Sequence, residues 1–104
     1  MKIYTVSTPY GDERIYIKEH RYVNGNLALQ AYCAEDGTPY ARLTVNLPDG
    51  VAVPHTALAY IDTNNCPWAS DFLIKNGLGV PFGIFGYSGF CSYPLFEILL
   101  QKID

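Results

Sequence analysis

Charge is what this chain has least of. Asp, Glu, Lys and Arg make up 16% of its 104 residues, against the ~25% usual for soluble domains. The seven basic residues are scattered and the net charge is -3. Arg14, Lys18 and Arg21 lie closest together, but Asp12, Glu13 and Glu19 are interleaved with them. Direct nucleic-acid binding is disfavoured, because neutralising phosphates takes clustered cations. The chain also lacks any uninterrupted apolar run of ~20 residues, so no membrane span is expected. Its start, "MKIYTVSTPY", has no apolar signal core, which leads to an expected cytoplasmic location. Close cysteine pairs are missing as well: Cys33, Cys66 and Cys91 are 33 and 25 residues apart, a spacing that suits reduced thiols better than a disulfide framework or a zinc site.

There is no internal repeat, low-complexity run or linker, so one domain of residues 1–104 is expected around one core. The clearest element is a hairpin. Leu27, Leu29, Ala31 and Cys33 alternate on one face, and Ala41, Leu43, Val45 and Leu47 alternate after the turn "EDGTP". A two-residue Asp36-Gly37 loop would set apolar side chains against polar ones. A three-residue loop, Glu35 to Gly37, pairs Leu27 with Val45, Leu29 with Leu43 and Ala31 with Ala41, and so is preferred. That register puts Tyr32 beside Tyr40 and Gln30 beside Arg42 on the opposite face, and gives Gly37 a left-handed role in the turn.

Further strands are expected over "KIYTVS", over Arg14 to Val23 with a bulge near Glu19 and His20, over "TALAYID", and over Tyr93 to Leu100. The last is apolar on both faces apart from Glu97, as in a strand covered on both sides. "NLPDG" would close the middle hairpin. The expected fold is α+β: a mainly antiparallel sheet of five or six strands against one helix at about residues 67–76.

That helix follows "DTNNCPW", Asp62 to Trp68, which gathers an acid, a hydroxyl, two amides, a thiol and an indole. Trp68, Ala69, Phe72 and Leu73 share one helical arc, Asn64 or Asn65 can cap the first turn, and Gly77 supplies the stop. Trp68 would anchor the helix, its indole N–H meeting a carbonyl. The stretch thus reads as a strand-to-helix junction. As an alternative, Asp62, Asn64, Asn65 and Trp68 would form a small-ligand or nucleotide-signal site at the helix start.

Catalytic constellations do not fill. Cys91 with His55 and Asp62 has no local signature of a thiol enzyme, and Cys66, Cys91 and His55 lack metal-ligand spacing. "GLGVPFG" follows a helix instead of a strand and lacks the GK[ST] ending of a phosphate loop. No catalytic residue, metal or cofactor is expected.

The most unusual segment is Asn76 to Phe96, "NGLGVPFGIFGYSGFCSYPLF", which carries no charged residue. Its first half has no periodicity and reads as a loop until about Ser92. Such a loop must either fold back on the core or present an apolar patch. Phe82, Ile84, Phe85 and Tyr87 are the expected partner-binding residues, with Tyr32 and Tyr40 as a second surface.

Three runs, "NLALQAYCAEDGTPYARLTVNL", "YIDTNNCPWASDFLIKNGLGVP" and "SGFCSYPLFEI", resemble a family of small uncharacterised proteins carried on conjugative elements and phages of gut anaerobes. Members similarly show D-T-N-N-x-P-W, G-L-G-x-P and S-G-[FY]-C-x-Y-P-L, and the likeness spans Asn26 to Ile98. This chain departs from the pattern after G-L-G-x-P, where members tend to be polar or basic and Phe82 to Phe85 are apolar. The resemblance implies a non-enzymatic accessory protein that binds a host protein and inhibits a defence system such as CRISPR or restriction. A homodimer seam would use the same surface.

Overall fold

In the computed structural model, which describes residues 2–47 and 55–103, those residues form two four-stranded antiparallel sheets, one short α-helix and a 3-10 turn at Leu100–Lys102. The fold is α+β, as expected. In the first sheet β1 (Tyr4–Thr8), β2 (Gly11–Arg21), β3 (Leu27–Cys33) and β4 (Pro39–Arg42) lie in chain order. The second contains β5 (Thr44–Val45), β6 (Leu58–Ile61), β7 (Gly79–Ser88) and β8 (Cys91–Ile98), in the order β5-β6-β8-β7. The expected closure at "NLPDG" falls on Pro48 to Gly50, outside the described residues.

Leu43 joins the two sheets. Its N–H donates to the Leu29 carbonyl of β3 at 2.9 Å, and its own carbonyl accepts from the Asp62 N–H, just beyond β6, at 2.8 Å. The chain has then left the first sheet, and the Thr44 hydroxyl takes over as acceptor for the Leu29 N–H at 3.2 Å. A buried backbone donor is thus satisfied where the ladder ends. The main core draws Ile15, Ile17, Leu29 and Ala31 from one sheet, Ile61, Phe96 and Ile98 from the other, and Phe72 and Leu73 from the helix. A smaller cluster, Leu47, Tyr60, Tyr93 and Leu95, lies on the other face of β8. That strand is therefore covered on both sides, which is why its sequence is almost continuously apolar.

The β3–β4 register follows the expected pairing at Gln30–Arg42 and Ala31–Ala41. Nearer the turn it differs: Tyr32 lies opposite Pro39, with a bulge between. Cys33 and Thr38 close a four-residue loop in which Gly37 has φ 74°. Asp36 accepts from the Thr38 N–H and hydroxyl, and these bonds hold its carboxyl below the usual range. The extra residue in the bulge is Tyr40, and an inserted residue resets which side the next side chain occupies. The expected bulge in β2 does not form, since Ile15 to Arg21 pair with Cys33 to Leu27 without a shift. Alternation breaks at Glu19 because this end of β2 overhangs the core, where Glu19 and Arg21 instead form an ion pair at 3.3 Å.

The helix, α1 (Ala69–Lys75), begins later than residue 67 and is led by Trp68, with no side-chain cap. Neither Asn64 nor Asn65 caps it. The end is as expected: Gly77, at φ 68°, donates to the Ile74 carbonyl, and Leu78 donates to that of Leu73. This pair of bonds satisfies carbonyls that the helix leaves open and seats Leu78 in the core.

Candidate protein-binding surface

The uncharged stretch is a β-hairpin, not a loop. Strand β7 pairs with β8 from Gly79–Ile98 to Ser88–Cys91, and the two-residue tip, Gly89 and Phe90, has Gly89 at φ 60°. Glycine at the first tip position is what a type II′ hairpin turn requires. Between Pro81 and Phe85 the register shifts, so that Phe82, Gly83 and Ile84 bulge away from β8, with Gly83 at φ 75°. Pro94, facing Phe85 at the end of this bulge, sits where the ladder is already interrupted.

Two glycines allow β7 to lie on the protein. A Cβ on Gly86 would come 2.5 Å from Leu47 Cδ1 and 2.7 Å from Tyr60 Cε1, and one on Gly79 would come 3.0 Å from Phe96 Cδ2. The rest of the strand stands out. Phe82, Ile84 and Phe85 are about half exposed (47%, 48% and 50%), Tyr87 is 70% exposed, and Phe90 projects fully from the tip. Val80 is exposed beside them. Strand β7 is the outermost of its sheet, with no strand paired to its other side among the described residues, and the hairpin carries no charge of either sign before Glu97.

The second expected surface does not exist as one face. Tyr32 lies outside, its ring stacked on Tyr16 at 5.3 Å and its hydroxyl 2.9 Å from His20 Nε2. Tyr40, turned by the bulge, packs against the core 6.3 Å from Trp68. Burial, and after it the charge of Glu13, pushes the Tyr40 phenol up.

Of the residues around the helix start, Asp62 is committed to the fold. One carboxylate oxygen accepts from the Asn65 N–H at 3.2 Å and the other from Asn65 Nδ2 at 3.0 Å. Asn64 is exposed. Trp68 meets Phe72 edge to face at 5.6 Å. The groove that Trp68 does line, of about 350 Å³, lies between α1 and β1, away from Asp62 and Asn65. Its far wall, Thr5 to Ser7, had no distinguishing signal in the sequence: an edge strand becomes a wall only once a helix is placed beside it.

Elsewhere, Cys66 is buried and donates to the Arg42 carbonyl at 3.4 Å. Among the described residues no three His, Cys, Asp or Glu side chains gather closely enough to hold a metal ion, and no helix is long and apolar enough to cross a membrane.

A family model described as "Domain of unknown function (DUF4313)" matches residues 16–104. Neither the curated proteins nor the solved structures give a match.

Proposed function

We propose that this chain, which belongs to the DUF4313 family, is a non-enzymatic binding module that docks on a host protein through its β7–β8 hairpin. The observation that carries this reading is the row of exposed apolar side chains, Phe82, Ile84, Phe85, Tyr87 and Phe90, on an uncharged hairpin whose strand β7 is the outermost of its sheet among the described residues. Burying apolar area contributes about 25 cal/mol per Å², and aromatic anchors carry a disproportionate share of interface energy. Rings held on a strand also lose less freedom on binding than rings on a flexible loop, which lowers the entropic cost of association.

The finer reading is an accessory protein of a mobile element that inhibits a host defence system by stoichiometric binding. It rests on the D-T-N-N-x-P-W, G-L-G-x-P and S-G-F-C-x-Y-P-L runs. The apolar Phe82 to Phe85, where the resembling proteins are polar or basic, would then define which host protein is bound.

The test pairs wild type with Phe85→Asp, each immobilised and exposed to host lysate. Wild type is expected to retain a protein in near-equimolar amount that Phe85→Asp does not. Retention of the same proteins by both, or of none by either, overturns the hairpin as the contact. For the defence role, wild type expressed in a host with active restriction or CRISPR immunity is expected to raise phage plating, and Phe85→Asp is not.

A further inference from the structure

We propose that the groove between β1 and α1 binds an extended segment of a partner polypeptide by strand addition. The segment would hydrogen-bond to the free edge of β1 and seat an apolar side chain against Trp68 and Phe72. This inference is independent of the hairpin reading and uses the opposite sheet.

Backbone direction decides it. β1 is the outermost strand of the first sheet, with β2 on its inner side. The Ala34 N–H donates to the Arg14 carbonyl at 2.9 Å, so the polar backbone groups of Arg14 face β3. Those groups alternate along a strand, so Glu13 and Ile15 face β1. Their partners there are Val6 and Tyr4, which face β2 in turn. The N–H and C=O of Thr5 and Ser7 therefore point outward, along the wall of the groove. Among the described residues no strand pairs with this side.

Two donors and two acceptors repeating every ~6.8 Å match the backbone of another extended chain. A compact small molecule would leave part of that row unmet, and an unmet buried backbone group is costly. The other wall supplies the side-chain contacts. Trp68 and Phe72 form an aromatic corner. Asp71 and Lys75, one helical turn apart, place one negative and one positive charge on the rim. A segment with an apolar residue flanked by one basic and one acidic side chain complements both walls.

The experiment pans displayed random linear peptides against the full chain and measures the selected sequences as free peptides. Ser7→Pro removes an outward donor and places a ring on that edge, while the bonds to β2 stay intact because the Ser7 N–H is not among them; proline is tolerated at such edge positions. Affinity is expected to fall roughly tenfold or more, and bound peptide is expected to protect the Thr5 and Ser7 amides from hydrogen exchange. Asp71→Lys, on the exposed rim, is expected to shift selection toward acidic peptides, and it decides the matter if Ser7→Pro fails to fold. Phe85→Asp is expected to leave peptide affinity unchanged, which separates this site from the hairpin. The proposal is overturned if no peptide is enriched, if Ser7→Pro binds as wild type does, if Thr5 and Ser7 gain no protection, or if the edge instead pairs with a second copy in a dimer that Ser7→Pro dissolves.

Discussion

Single atoms decide several properties of this molecule. At Gly86 one added methyl would meet the ring of Tyr60, which is itself buried and cannot swing aside. Gly86→Ala is therefore expected to destabilise by about 1–3 kcal/mol, read as a lower midpoint in urea. Ser70 presents the opposite case, since its Oγ is buried and has no hydrogen-bond partner among the described residues. Ser70→Ala removes a desolvated hydroxyl and improves helix propensity, and is expected to stabilise by about 1 kcal/mol, or roughly 4–8 °C in Tm. Cys66 sets a pH dependence. Burial, then the charge of Asp62, pushes its thiol above the ordinary 9.0. With rising pH the unfolded chain releases this proton first, while the folded chain holds it longer. The contribution is whole below about pH 9 and declines as pH rises through the folded-state value. Urea midpoints at pH 8 and pH 10 should accordingly differ more for wild type than for Cys66→Ala.

For the elements, what the sequence reveals depends on what each one covers. The β3–β4 register was legible because Leu29 and Ala31 face the core while Gln30 faces out, so alternation carried the information. Tyr40 was misplaced because a bulge adds one residue without disturbing the alternation on either side of it. The helix start was set late because "DTNNCPW" spends Asp62 and Asn65 on each other. Strand β7 was illegible for a different reason: a period of two is visible only when one face is buried, and most of this strand is uncovered on both. The aromatic residues of this segment stood out by composition, though as a loop, and composition alone did not say whether that loop was buried or, as the structure has it, exposed. Tyr87, at 70% exposure, makes little contact with the core, so Tyr87→Asp is expected to change stability by less than ~0.5 kcal/mol; Phe85 is half covered, and Phe85→Asp is expected to cost about 1–2 kcal/mol, both checked by thermal melts before any binding assay.

Taken whole, the molecule has one principal core shared between two sheets, and Leu43 belongs by its hydrogen bonds to both. Neither sheet can come apart without exposing the other's side chains. Unfolding is expected to be a single transition, with the near-ultraviolet signal of Trp68 and the far-ultraviolet strand signal melting together; two separated midpoints would show that the sheets are independent. The kink of β7 at Pro81 to Phe85 bears on how the protein survives at high concentration. A straight, greasy rim would invite copy after copy to stack into fibrils, but a proline and an outward-thrown Gly83 spoil the template for such growth. On the proposed docking role, only a visitor already moulded to that crooked outline would gain the full contact, so stickiness would be converted into choosiness.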